Sequence, residues 1–143
     1  MAIPHSWIRL FVAISAVTLL SIPWYLAQNS GYVRPISSGK VVSVIDGDTL
    51  DVTGIGRIRL VGVNTPEKDQ EGYQEALDFL ENTCLGKTVS VDIDDECPED
   101  SYGRILGVVY MEGTNLNAQL LRSGHAEILY LPPSEFDPSQ WLD

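Results

Sequence analysis

Two aspartates around a glycine are the first residues in the chain with a type and spacing that could do chemistry. They lie in the stretch SVIDGDTLDV, residues 43–52. Apolar and polar residues alternate up to Asp46-Gly47, a dipeptide that favours a two-residue hairpin turn. Such a turn needs only one aspartate, yet a second carboxylate follows at Asp48. We therefore interpret both carboxylates as functional, with a plain turn as the alternative.

A second stretch, IRLVGVNTPE at residues 58–67, adds further oxygen donors. If this stretch forms a strand beside the hairpin, Asp48 converges with the Asn64 amide and the Thr65 carbonyl. Carboxylate, amide and carbonyl oxygens are the ligands that suit Ca²⁺ or Mg²⁺. The pattern therefore predicts a site for a hard divalent cation.

Two arginines and a glutamate are expected to flank this cation. Arg59 and Glu67 lie in the second stretch, and Arg104 follows in SYGR. Two guanidinium groups beside a cation can clamp a phosphoryl group, and a carboxylate can activate water. The set indicates metal-assisted hydrolysis of phosphodiesters. The alternatives are a structural ion pair for either arginine and a place in the first turn of a helix for Glu67.

Strands and helices must position these residues. Alternating polarity predicts strands at residues 40–45, 48–52, 57–63, 88–94 and 104–111. Helical spacing of apolar residues predicts a helix over residues 73–84 and a short one over 115–122, and residues 126–131 add an extended segment. Five strands with a helix between the third and fourth predict a β-barrel with helices, the five-stranded Greek-key barrel called the OB-fold.

Three motifs in one order, VIDGDT, RIRLVGVNTPE and YGR with a helix before YGR, resemble the staphylococcal nuclease family. The resemblance spans residues 39–130. It implies an OB-fold endonuclease that requires Ca²⁺, cleaves both DNA and RNA, and leaves 3′-phosphate ends. It also implies that Asp48 and the Thr65 carbonyl bind the metal ion directly and that Asp46 reaches it through water.

The same resemblance implies roles for the remaining site residues. Arg59 and Arg104 correspond to the two phosphate-binding arginines of the family, and Glu67 corresponds to its proposed general base. Tyr102 and Tyr130 correspond to tyrosines that line the nucleotide pocket. Because aromatic residues in strands are often core residues, packing is the alternative for these two.

The sequence departs from the family pattern at three places. Asn64 stands where the family often has a second metal-binding aspartate, so a charge is lost and weaker Ca²⁺ binding is expected. Ser101 stands at a position where a lysine assists substrate binding. After Tyr130 only residues 131–143 remain, a segment too short and too rich in proline for the family's long C-terminal helix. The barrel is therefore expected to lack this cover or to receive it from a partner.

Charge limits the substrate. Lys and Arg number 9 against 20 Asp and Glu, which gives a formal net charge of -11. Because phosphate contacts dominate nucleic-acid affinity, an acidic chain disfavours tight binding to long duplex DNA. We expect single-stranded or flexible DNA and RNA as substrates. The alternatives to an enzyme are a nuclease-like module for interaction or nucleic-acid binding and, more distantly, a membrane-tethered calcium-binding domain.

An uncharged, mostly apolar run of eighteen residues, 10–27, follows Arg9 near the N-terminus. Its length lies between that of a signal-peptide core and the about 20 residues of a spanning helix. Either interpretation exports the acidic part of the chain, which is then secreted or anchored to the outer face of the cytoplasmic membrane. The predicted organisation is a signal peptide or membrane anchor at 1–30, a linker at 31–38, the nuclease domain at 39–131 and a tail at 132–143.

Cys84 and Cys97 are expected to remain unpaired. The predicted strand at 88–94 separates them by roughly 20 Å at about 3.3 Å per residue. A disulfide needs Cα atoms within about 7 Å of each other. We therefore interpret Cys84 as a small apolar helix residue and Cys97 as a loop thiol.

Overall fold

The computed structural model describes residues 36–142. The predicted signal peptide or anchor at 1–30, and the linker up to residue 35, lie outside the described residues. Within 36–142, no helix has both the length and the apolar character needed to cross a membrane.

The described part of the chain contains eight strands, two α-helices and one 3-10 turn. In chain order they are β1 (Ser37–Asp46), β2 (Thr49–Val52), β3 (Gly56–Leu60), β4 (Gly62–Asn64), α1 (Tyr73–Cys84), β5 (Thr88–Ile93), β6 (Ile105–Met111), β7 (Thr114–Asn115), α2 (Leu116–Arg122), β8 (Glu127–Leu129) and the 3-10 turn Pro138–Trp141. Both predicted helices are present. Asn115 caps α2, because its Oδ1 accepts a hydrogen bond from the Ala118 amide at 2.9 Å.

The strands close into a barrel. The main sheet has the order β3-β2-β1-β5-β6-β7, and β3 also pairs in parallel with β6. Inward-facing apolar residues of the strands fill the barrel and pack against apolar residues of α1 and α2. Fully buried members of this core on the strands include Val41, Leu50, Ile58, Leu60, Val91 and Val109, and those on the helices include Leu80 and Leu120. The OB-fold expectation is confirmed. Arg59 pairs in parallel with Leu106 near the start of β6, and Arg104 immediately precedes this strand.

The third predicted strand, residues 57–63, is divided at Val61. β3 stays in the barrel, whereas β4 leaves it and pairs with β8. Gly62 lies at the break with φ 75°, a conformation that favours glycine. A Cβ there would lie 2.9 Å from both the Pro138 side chain and the Trp141 ring. The break could not be predicted from the local sequence pattern, because apolar residues continue on both sides of it.

The hairpin turn between β1 and β2 consists of Gly47 and Asp48, one residue later than Asp46-Gly47 predicted. A Cβ on Gly47 would lie 2.8 Å from Thr65 Oγ1 and 2.7 Å from Ala76 Cβ. Only glycine allows the turn to approach the loop after β4 this closely. The approach brings Asp48 next to Thr65.

The C-terminal tail lies against the barrel. The Ser134 hydroxyl and the Glu135 amide donate hydrogen bonds to the Asp94 carboxylate at the end of β5. Pro138 is buried, and Trp141 packs against the core. The expectation that the barrel lacks a cover or borrows one is therefore corrected, since the chain's own tail covers this side.

Both cysteines are free thiols in the positions predicted for them. Cys84 is buried at the end of α1, and its Sγ donates to the Leu80 carbonyl at 3.1 Å. Burial raises the pKa of the Cys84 thiol to about 11. Cys97 lies in the loop that follows β5.

Asn117 is a fully buried amide that joins α2 to the barrel. Its Oδ1 accepts from the Val109 amide at 3.1 Å, and its Nδ2 donates to the carbonyls of Val61 at 2.9 Å and Gly107 at 3.2 Å. These three groups lie on β6 and at the point where the chain leaves β3. Asn117 therefore fixes the strand break that leads into β4.

Asn117→Ala should lower the free energy of unfolding by about 2–4 kcal/mol. The buried Val109 amide and Val61 carbonyl lose their side-chain partner, and the Gly107 carbonyl loses one of its two donors. Urea unfolding followed by circular dichroism measures this loss. Gln119→Ala, at a partly exposed position on the same helix, is the control and should change stability by less than about 0.5 kcal/mol. Equal losses in the two variants would contradict the assignment.

Candidate active site

The Asp48 carboxylate is the meeting point of three segments. It is only 6% exposed. Its Oδ2 accepts from the Thr65 amide at 3.1 Å and from Thr65 Oγ1 at 3.0 Å. Its Oδ1 accepts from Thr49 Oγ1 at 3.2 Å and pairs with Arg59 Nε at 3.2 Å. The β1–β2 turn, β3 and the loop after β4 therefore converge on one carboxylate.

Asp46 lies beside Asp48 and adds a second carboxylate. Its Oδ1 accepts from the Asp48 amide at 3.1 Å. Burial raises the pKa of Asp48 above its ordinary value, Arg59 and Thr65 oppose the rise, and Asp46 adds to it. Protonated Asp48 therefore stabilises the fold below pH 3.8, and this stabilisation is lost as the pH rises through the raised pKa.

The residues around Asp48 fit a hard divalent cation by their chemistry. Between residues 36 and 142 there is no group of three or more His, Cys, Asp and Glu residues able to hold a metal ion. The donor set is instead mixed, with the carboxylates of Asp46 and Asp48, the exposed Asn64 amide and Thr65. Ca²⁺ accepts such a mixture of charged and neutral oxygens. A cation would also stabilise the ionised form of Asp48 against the burial, and against the smaller effect of Asp46, that raise its pKa.

Arg59 on β3 has an anionic partner, and this partner is Asp48. Its side chain is 13% exposed. Nη1 donates to the Leu60 carbonyl. The guanidinium is thus held from two sides at the wall of a cavity.

That cavity, of about 290 Å³, is lined by four of the predicted site residues: Arg59, Arg104, Tyr102 and Tyr130. Most of its other lining side chains are apolar. Tyr102 is 84% exposed and Tyr130 46%, so neither is a core residue. The Arg104 Cζ lies over the Tyr102 ring, 5.4 Å from its centroid. The cavity combines two cations with two aromatic faces, a combination that suits a phosphate attached to a planar group.

Asp100 holds Arg104 at this cavity. Its Oδ2 accepts from Arg104 Nε at 2.7 Å, and its Oδ1 accepts from the amides of Tyr102 at 2.9 Å and Arg104 at 3.0 Å. Burial alone would raise the pKa of Asp100, but these hydrogen bonds outweigh it and hold the pKa below its ordinary value. Asp100 therefore stays ionised.

Five predicted site residues do not line this cavity: Asp46, Asp48, Asn64, Thr65 and Glu67. Glu67 is exposed in the loop after β4, where its amide donates to Gln70 Oε1 at 2.7 Å. Asn64 lines a second, more polar cavity of about 370 Å³, together with Thr65 and His125. The structure thus groups the arginines with the tyrosines. Of the proposed metal ligands, Asp46 and Thr65 are hydrogen-bonded to Asp48, whereas Asn64 lies at the second cavity.

Sequence reasoning missed Asp100 and Asp94, although both line the cavity. For Asp100 a signal was present, because an aspartate ahead of Ser-Tyr-Gly favours a turn closed by its own carboxylate. Asp94 is fully buried, and four donors from the loop after β5 and from the tail surround it. No local pattern marks such a long-range role.

Arg59→Met should raise the pKa of Asp48 further, since Arg59 is the strongest influence that lowers it. The pH range in which Asp48 protonation stabilises the fold should then extend upward. Arg57→Met is the matched control on the same strand; it should leave Asp48 unchanged and raise the pKa of Asp51, its own partner. NMR titration of the side-chain carboxyl carbons measures both, and an unchanged Asp48 midpoint in Arg59→Met would contradict the pairing.

Comparison with known proteins agrees with this geometry. The family described as staphylococcal nuclease homologue matches residues 57–140. An uncharacterised endonuclease of Escherichia coli is 42% identical over 92 residues, which cover 62% of this chain and 58% of the relative. A thermonuclease of Staphylococcus intermedius is 33% identical over 66% of this chain and 61% of its own length, and one of Staphylococcus hyicus is 28% identical over 87% and 82%.

The chain spans about 58% of the length of the first curated relatives it matches. The family match covers more than half of the chain and includes Arg59, Glu67, Arg104 and both cavity tyrosines. The barrel, the paired arginines and this match lead to one conclusion: the chain belongs to the staphylococcal nuclease homologue family.

Proposed function

We propose that this chain is a Ca²⁺-dependent endonuclease that hydrolyses phosphodiester bonds in DNA and RNA. The observation that carries the proposal is the single cavity lined by both Arg59 and Arg104. Two guanidinium groups at one cavity match the geometry and charge of a phosphate. The relatives named thermonuclease and endonuclease support the same reaction class.

In this proposal the two arginines donate hydrogen bonds to the non-bridging phosphate oxygens, and these bonds strengthen as charge develops in the transition state. Glu67 takes a proton from the attacking water. An oxygen–phosphorus bond forms from that water, the bond to the leaving oxygen breaks, and the leaving oxygen takes a proton from solvent. The exposed faces of Tyr102 and Tyr130 offer stacking surfaces for a base or sugar.

Asp46, Asp48, Asn64 and Thr65 would hold the cation. When bound, Ca²⁺ supplies positive charge to the phosphate and lowers the pKa of water near it. Asp48 has a second task in the same site, because it keeps Arg59 in place through Nε.

A flexible single strand suits the cavity better than a long duplex. The net charge of -11 repels an extended polyanion, whereas two paired arginines need to accept only one phosphate at a time. The second candidate function is a nucleic-acid-binding module with weak or no catalysis. Two observations favour it: Glu67 lies outside the cavity, and Asn64 contributes no charge.

We infer further that the chain is exported or tethered to the outer face of the cytoplasmic membrane. The support is the uncharged run at residues 10–27, which follows Arg9. Cell fractionation with an antibody to the acidic part of the chain should find the protein with membranes or outside the cell. A dominant full-length cytoplasmic pool would contradict this inference.

Arg59→Ala, Glu67→Ala and Arg104→Ala should each lower the cleavage rate at least about 10²-fold, the scale for losing a charge stabiliser or general base. The assay uses the full-length chain with single-stranded DNA or RNA, in Ca²⁺ or in a chelator. Arg57→Ala removes an exposed arginine from the same strand and should cleave like the wild type.

Thermal unfolding of each variant separates loss of function from loss of fold. Near wild-type cleavage by all three folded variants would overturn the catalytic assignment. A folded wild type that binds single strands but leaves them intact in Ca²⁺ would support the binding module instead.

Asn64→Asp should lower the Ca²⁺ concentration needed for half-maximal cleavage, because a carboxylate replaces an amide dipole at the proposed site. The maximal rate should change less, since the arginines and Glu67 remain. Asn115→Asp adds the same charge at the cap of α2, where aspartate also caps well, and it should leave the midpoint unchanged. Equal midpoints in Asn64→Asp and the wild type would mean that residue 64 does not contact the ion.

A further inference from the structure

The three arginine–aspartate pairs found within residues 36–142 use two different geometries. Arg57 and Asp51 form a bidentate pair on an exposed face of the sheet, with Nε at 2.8 Å from Oδ1 and Nη2 at 3.0 Å from Oδ2. Both carboxylate oxygens are thus turned toward one guanidinium. The Nε and Nη2 nitrogens used here are a pair through which arginine commonly binds an anion in bidentate fashion.

The two pairs at the cavity are different, because backbone groups occupy one oxygen of each carboxylate. In Asp100, Oδ1 accepts from the amides of Tyr102 and Arg104, so only Oδ2 is left for the guanidinium, and it takes Nε at 2.7 Å. In Asp48, Oδ2 accepts from the amide and hydroxyl of Thr65, and Arg59 Nε pairs with Oδ1.

The contact with Asp100 uses one guanidinium nitrogen of Arg104, whereas a bidentate pair uses two. Arg104 therefore keeps more N–H donors for another partner. Asp100 engages Nε, so its carboxylate does not consume the two Nη nitrogens. The guanidinium is planar, and one fixed nitrogen together with the Tyr102 ring beneath it limits its rotation. Because the Tyr102 amide binds the same carboxylate, one aspartate orients both the cation and the ring on which it rests.

We propose that Asp100 is a positioning residue that holds Arg104 by Nε so that its Nη nitrogens bind the phosphate of the substrate. The inference rests on the proposed function, since it takes a phosphate as the group bound in the cavity. It assigns a role to a residue that does not itself touch the substrate. It also explains why an anionic side chain lines a cavity built for an anion.

The test measures phosphate binding apart from cleavage. The full-length chain is titrated with inorganic phosphate in the absence of Ca²⁺, and the Nε–H signal of Arg104 is followed by NMR. Asp100→Asn keeps an oxygen for the backbone amides of the turn but has no second oxygen to accept from Nε. We expect phosphate affinity at Arg104 to fall about tenfold, within the range of coupling between groups in contact.

Asp51→Asn is the matched control, because it removes the same charge from the pair that lies away from the cavity, and affinity should be unchanged. Asp100→Ser can also close the turn and should show the same loss as Asp100→Asn. In an Arg104→Ala background, with residual binding followed at the Arg59 Nε–H signal, Asp100→Asn should add no further loss. If Asp100→Asn acted only by disturbing the structure, it would lower phosphate affinity in the Arg104→Ala background as much as in the wild type.

Unchanged phosphate affinity in folded Asp100→Asn would overturn the proposal, as would a wild-type Arg104 signal that does not respond to phosphate. An additive loss in the Arg104→Ala background would overturn it too. These outcomes are independent of the nuclease assay. A wild type that binds phosphate through Arg104 but does not cleave nucleic acid would refute the proposed function and leave the role of Asp100 supported.

Discussion

The hydrogen bonds of Asn117 fix the break between β3 and β4, and the rest of the site depends on this break. Its amide ties the Val61 carbonyl, at the end of β3, to β6 and α2. Immediately after Val61 the chain turns at Gly62 and leaves the barrel as β4, which delivers Thr65 to the Asp48 carboxylate. A buried amide far along the chain therefore determines where the proposed cation site forms, because a straight third strand would carry Thr65 elsewhere.

Local pairing explains how a strongly acidic chain can offer a cavity to an anion. Each cavity arginine faces one carboxylate, and each of these carboxylates is also held by backbone amides. The two carboxylates nevertheless differ in proton affinity. Burial dominates at Asp48 and raises its pKa, whereas hydrogen bonds prevail at Asp100 and lower its pKa. Asp48 is thus the carboxylate whose ionised form gains more from a nearby cation.

The sequence predicted those parts of the structure that depend on local patterns. The helix Tyr73–Cys84 has the predicted bounds because its apolar residues recur regularly, and the barrel follows from alternating strands. The break at Gly62 was missed because the groups that define it are distant in the sequence: Asn117 binds the Val61 carbonyl, and Pro138 and Trp141 leave no room for a side chain at residue 62. The motif also pointed to both arginines, but it could not reveal Asp100, whose role depends on which oxygen meets which donor.

The parallel pairing of β3 with β6 has a consequence for how the molecule folds. It aligns Ile58 with Ile105, two residues far apart in the sequence, and it is the pairing that brings Arg59 and Arg104 to one cavity. Contacts between distant segments form slowly, because a long loop must close before the contact is gained. In a chain that has formed only its first hairpin and α1, Arg59 and Arg104 are not yet brought together. The cavity with both arginines is therefore assembled late, and the proposed phosphate binding would report that the barrel has closed.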